Sequence, residues 1–99
     1  MALSPREFVE ASDKNEAQWS ADLKTYADAM DTYVAAAQSF AAAARKNIDA
    51  RGREPYEAWR TAVDKYDAAA ATADKADDAR RTANKRYMDE WRRITSAAQ

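Results

Sequence analysis

The sequence predicts an all-α protein, a helical hairpin of two long antiparallel helices that is Ala-rich and coiled-coil-like. Three observations predict it. From Trp19 to Ala44 the residues Trp19, Leu23, Tyr26, Met30, Tyr33, Ala37, Phe40 and Ala44 follow one another in alternating steps of four and three, the rhythm of a helix with one apolar seam. Turn formers are scarce, with one glycine and two prolines in 99 residues, far too few for a sandwich or an α/β chain. The only strong turn motif, Ala50-Arg51-Gly52-Arg53-Glu54-Pro55, falls at the middle of the chain.

Each element has its own signals. Ser4-Pro5-Arg6-Glu7 places a capping serine, a proline at the first helical position and a glutamate at the third, which makes a capping box. Leu3 and Phe8 have the spacing of a hydrophobic staple. Ser12, Asp13, Lys14 and Asn15 are weaker helix formers, so the first helix either runs unbroken from about 5 to 50 or is split into a short helix at 5–11 and a long one from about 14. The unbroken helix is preferred. A second row, Ala27, Val34, Ala41 and Ile48, is expected to widen its seam to that of a core-facing helix. Gly52 suits a left-handed helix end and Pro55 the first position of the next helix. The turn is therefore placed at 51–54 and the second helix at about 55–96, in a single domain spanning 1–99.

The second helix carries Tyr56, Trp59, Val63, Tyr66, Ala70 and Ala73, beside a ladder of Ala62, Ala69, Ala76 and Ala83. Its core positions then turn polar at Asp77, Arg80 and Asn84 before Tyr87, Trp91, Ile94 and Ala98 resume. A turn centred near 52 brings Phe40 to Val63 and Tyr66, Tyr33 to Ala69–Ala73, and Leu23 and Tyr26 to Ala76–Ala83. On this reading large residues of the first helix face small ones of the second. Arg80 and Asp77 fall opposite Trp19 and Tyr26, where the arginine can stack on a ring and the carboxylate can accept a tyrosine hydrogen bond. The acidic stretch Glu7, Glu10, Asp13 and Glu16 is expected beside the basic residues of 80–93.

Composition removes most chemistry. The chain has no cysteine and no histidine, which rules out disulfides, thiolate or imidazole metal sites, and catalytic triads or dyads. Asp74, Asp77 and Asp78, with Asp28 and Asp31, are the only metal candidates, and carboxylates on helices are mostly solvated. No catalytic, cofactor-binding or metal-ligating set is expected, and no enzyme. A net charge of −1 gives no global attraction to nucleic acid or an anionic membrane. The cluster at 80–93 is the one nucleic-acid candidate, as a weak binder. No apolar run reaches the ~20 residues of a spanning helix, and the N-terminus shows no Sec signal. The expected location is the cytoplasm or an assembled particle, and the pattern is also compatible with leaderless secretion.

The aromatic residues are the informative feature. Three tryptophans and five tyrosines are more rings than two helices can cover, because each helix hides only one face and buried alanine returns about 0.8 kcal/mol per methyl. The expected interface residues are Trp19, Leu23, Tyr26, Met30, Tyr33, Phe40, Trp59, Val63, Tyr66, Ala69, Ala76, Ala83, Tyr87 and Trp91. Their apolar strip is expected to continue into a second copy or another helical protein.

In architecture the chain resembles the small type VII-secreted helical hairpins, which pair as four-helix dimers. Ala50-Arg51-Gly52 stands where that family has Trp-x-Gly, and Tyr87 is followed four residues later by Trp91 rather than by an acidic residue. The resemblance implies a leaderless secreted hairpin that travels with a partner. The chain is also similar to Ala-rich assembly subunits of phage and other particles. The function expected first is a non-catalytic interaction or structural assembly subunit, a helical adaptor or scaffold.

Overall fold

The computed structural model describes residues 2–49 and 53–98 and shows an all-α helical hairpin. Helix α1 spans Pro5–Asp49 and helix α2 spans Arg53–Ala98, 45 and 46 residues long. No strand occurs among the described residues. The preferred unbroken first helix is the one observed: Ser12 to Asn15 continue α1 without interruption. Of the turn expected at 51–54, Arg51 and Gly52 lie outside the described residues, as does Ala50, while 53 and 54 already belong to α2. Helix α2 begins two residues before Pro55 and ends two residues past 96.

The capping box forms as its sequence predicts. The Ser4 N–H donates to Glu7 Oε1 at 3.1 Å and the Glu7 N–H donates to Ser4 Oγ at 3.2 Å, which satisfies two of the donors that a helix start leaves without partners. Hydrogen bonding from the Ser4 backbone N–H first, and from the Ser4 side chain second, holds the Glu7 carboxyl below the usual carboxylate range. Just upstream, the Leu3 N–H donates to the carbonyl of Ala97 at 2.8 Å. It thereby caps one of the last carbonyls of α2, which has no partner within its own helix.

The chain divides into two compact units, one formed by Met1–Tyr26 with Asp77–Gln99 and the other by Ala27–Ala76. In each unit a stretch of α1 packs antiparallel on a stretch of α2. In the first unit, Phe8 meets Trp91 with ring centroids 6.0 Å apart, and Trp19 stacks on Tyr87 at 5.6 Å. Ile94, fully buried, is the largest side chain that the fold removes from water. In the second unit, Tyr66 lies 5.4 Å from both Tyr33 and Phe40, and Ala62, Ala69 and Ala73 are buried.

Burial corrects the rotation of α1. The row expected to widen its seam stays largely outside: Ala27 is exposed, Val34 is 49% exposed and Ile48 is 81% exposed. Leu23 is also exposed. The row that is covered instead lies one residue before Leu23, Met30, Ala37 and Ala44, at half-buried Asp22 in the first unit and at half-buried Ala29, Ala36 and Ala43 in the second. The physical reason is the close approach that alanine permits. Ala36 and Ala43 stand level with buried Ala69 and Ala62, while rings meet rings at Tyr33, Phe40 and Tyr66. The Phe40–Tyr66 contact is an expected one, and Tyr33 has the Tyr66 ring as a partner in addition to the expected Ala69–Ala73 stretch.

Candidate interaction surface

The contact between the helices has a different chemistry in each unit, and the positions of a few residues explain both. In the first unit the centre is Asn15, a buried polar residue at 4% exposure. Its Nδ2 donates to the Tyr87 carbonyl at 3.1 Å, and its Oδ1 accepts from Arg86 at 3.3 Å. Both ends of the amide are thus used, and no buried side-chain nitrogen or oxygen among the described residues lacks a partner. Arg86 also reaches Asp22 at 3.6 Å. The Tyr87 hydroxyl donates to Glu16 at 2.6 Å, and this bond, with partial burial and the nearby carboxylate charge, raises the tyrosine above its ordinary pKa.

Sequence reasoning missed Asn15, reading it only as a weak helix former. A signal was present, since Asn15 lies seven residues after Phe8 and seven before Asp22. That places it on the row that actually faces α2.

The polar interruption of α2 is partly as expected. Arg80 sits 5.2 Å over the Tyr26 ring, close enough for a cation–π contact. Asp77 receives no tyrosine hydroxyl; its carboxylate is taken by Arg80 at 3.0 Å and Arg81 at 3.1 Å. Asn84, read as a core position, is exposed.

The basic stretch at 80–93 is neutralised mainly on its own helix rather than by the acidic start of α1. Lys85 and Arg92 both pair with Asp89, and Arg93 donates through Nε to Glu90 at 3.0 Å. Asp89 is held below the usual carboxylate range mainly by the Lys85 hydrogen bond, and Glu90 by that of Arg93. Of the acidic residues near the start of α1, Glu16 reaches α2 through the Tyr87 hydroxyl, whereas Glu10 pairs with Arg6.

In the second unit the helices meet through aromatic rings and alanines. The Tyr33 and Tyr66 hydroxyls share a hydrogen bond of 2.8 Å. That bond, before any charge effect, raises Tyr66 above the ordinary tyrosine value. Phe40 stacks on the other side of the same cluster, with an interplanar angle of 29°. Trp59 is half-buried and tilts against exposed Tyr56 at 5.9 Å.

The expected interface residues divide as follows. Ala69 is buried, and Trp19, Tyr26, Met30, Tyr33, Phe40, Trp59, Val63, Tyr66, Ala76, Ala83, Tyr87 and Trp91 are half-buried, while Leu23 is exposed. Among the described residues, no group of three or more acidic side chains is placed to hold a metal ion. No helix there is long and apolar enough to cross a membrane. Compared with known protein families, curated proteins and solved structures, the chain matches none.

Proposed function

We propose that the chain is a non-catalytic protein–protein interaction or structural assembly subunit, a helical adaptor or scaffold that works by covering its apolar strip with another helical surface. One observation supports this reading above the others. None of the ten aromatic residues is buried: nine are half-buried and Tyr56 is exposed. Aromatic side chains bury 150–250 Å² each when enclosed and dominate interface energetics. A chain that half-covers nearly all of them within its own hairpin retains the material of an interface. Val34 and Ile48 add aliphatic surface of the same kind.

Sedimentation equilibrium of the purified chain from about 1 to 100 μM tests the reading. These concentrations span the affinity range of ordinary assembly contacts. The expected result is a dimer or larger species, or a dynamic monomer that orders when its partner is added. A compact monomer that melts cooperatively and independently of concentration would falsify it.

A further inference from the structure

We infer that the apolar side of the second unit docks a second copy of this chain, laid antiparallel across a twofold axis level with Gln38 and Asp67. The inference rests on the interaction-subunit reading and names its partner. On α1 this side is formed by Ala27, Val34, Ala41 and Ile48, flanked by half-buried Met30, Ala37 and Ala44. On α2 the matching positions beside the seam are Tyr56, Val63 and Ala70. In an antiparallel helix pair these equivalent flanking positions lie on the same side of the contact. The opposite side carries Thr32, Ser39 and Lys46 on α1 with Lys65 and Thr72 on α2, all exposed. The unit is thus a two-helix layer, apolar on one side and polar on the other.

The pattern on the apolar side is complementary to itself when turned end for end. About a centre near 38, Val34 falls beside Ala41 of the second copy, Ile48 beside its Ala27 and Met30 beside its Ala44. On α2, about a centre near 67, Val63 falls beside Ala70. In each case a large side chain meets the small one that leaves room for it. The charged rims follow the same rule, since Asp31 falls beside Arg45 of the copy and Arg60 beside its Asp74. These four residues are exposed, and among the described residues they form no ion pair.

The two centres were found separately on the two helices, yet they lie at one level. Tyr66 touches both Tyr33 and Phe40, which bracket Gln38. One axis therefore serves both helices, as an isologous contact requires. The alternative twofold, parallel to the helices, would set Asp31 against Asp74 and Arg45 against Arg60, and like charges in contact are repulsive. An unrelated helical partner gives no reason for a pattern that inverts onto itself. Asp67 meets its own copy at the axis, the one unfavourable pair.

The test is sedimentation equilibrium of the full chain with rim charges reversed, with helicity followed by circular dichroism. Arg45→Asp places two carboxylate pairs in contact and should weaken self-association roughly three- to thirty-fold, the scale of two exposed ion pairs lost and reversed. Asp31→Arg combined with Arg45→Asp should restore it, Asp67→Asn should tighten it, and Lys46→Asp on the polar side should leave it unchanged. Because the chain has no cysteine, spin labels at Gln38→Cys and Arg45→Cys also report the axis. The Arg45 pair should be offset along the helices by about 21 Å more than the Gln38 pair, from seven residues on each copy at 1.5 Å. Equal separations at both sites, or equal weakening by Arg45→Asp and Lys46→Asp, overturn the proposed arrangement. A chain that stays monomeric alone but folds against a different protein overturns this inference and leaves the broader reading standing.

Discussion

Asn15 shows how one polar side chain can set the alignment of two helices. Its amide is satisfied only when Tyr87 and Arg86 are level with it, so a slipped pairing would leave a buried amide without partners, at a cost of about 1–3 kcal/mol. A leucine there would lose that restriction while gaining apolar burial. Asn15→Leu is therefore expected to melt at the same temperature or higher, yet to weaken the near-ultraviolet dichroism of the Trp19–Tyr87 stack as alignments mix. Asn15→Ala, which gains little burial, should melt lower; the reverse order would remove the alignment role. Tyr66 and Tyr87 make a second residue-scale prediction. Each has its pKa raised by a hydroxyl hydrogen bond, to Tyr33 and Glu16 respectively. A pKa raised on folding contributes stability that is intact below the unfolded tyrosine value of about 10 and is lost as pH rises through the higher folded value. Tyrosinate absorbance should accordingly show a late-titrating component that Tyr66→Phe and Tyr87→Phe each reduce. Neither feature was legible in the sequence, because a hydrogen bond between residues 33, 71 or 72 positions apart depends on an alignment that periodicity locates only to within a few residues.

At the scale of the element, the helices and their start were legible and their rotation was not. The capping box is local, with all its partners within four residues, and its geometry appears as expected. Ser4→Ala should cost about 1 kcal/mol. Glu7 is held below the usual carboxylate range, so its contribution is present above the pH at which an unfolded glutamate ionises. It is lost as pH falls through the lower folded value. Urea melts at neutral and acid pH should show Ser4→Ala narrowing the difference between the two conditions. The rotation of α1 was misread because Ala27, Val34, Ala41 and Ile48 keep the apolar period beside the seam, and an apolar row on that flank was taken as the covered one. The opposite edge, with Ala29, Ala36 and Ala43, is the one that faces α2. On α2 the alanine ladder was read correctly, since Ala62 and Ala69 are buried and Ala76 and Ala83 are half-buried. Ala69→Leu should force the helices apart or strain a rotamer and cost roughly 1–3 kcal/mol. Ala71→Leu, at an exposed position of the same helix, should be nearly neutral because alanine and leucine differ little in helix propensity. Chemical denaturation of the two variants checks the assignment, and equal small effects would mean that the facing line is wrong.

For the whole molecule, the balance between burial and chain entropy leads to a prediction about concentration. Among the described residues the buried apolar ones are Ala62, Ala69, Ala73 and Ile94, and three of these four are alanines whose burial returns little. Ordering each residue costs ~1.5 kcal/mol, so half-covered rings carry most of the stabilisation and a covering partner would add to it directly. If a second copy supplies that cover, folding and association are linked, and apparent stability must rise with protein concentration. A hundredfold increase, from about 3 to 300 μM, adds about 2.7 kcal/mol per dimer by mass action. Divided by an unfolding entropy of about 2.1 cal/mol/K per residue over two chains, this raises the melting temperature by roughly 5–8 °C. Ile48→Ser, at the most exposed large apolar residue among those described, should lower the melting temperature at the high concentration and change it little at the low one. A cavity inside the hairpin, as from Ile94→Ala, should instead lower it at both. Scanning calorimetry across the series separates these cases: a melting temperature independent of concentration in the unsubstituted chain would place all of the stability inside one hairpin and leave the apolar side without its second copy.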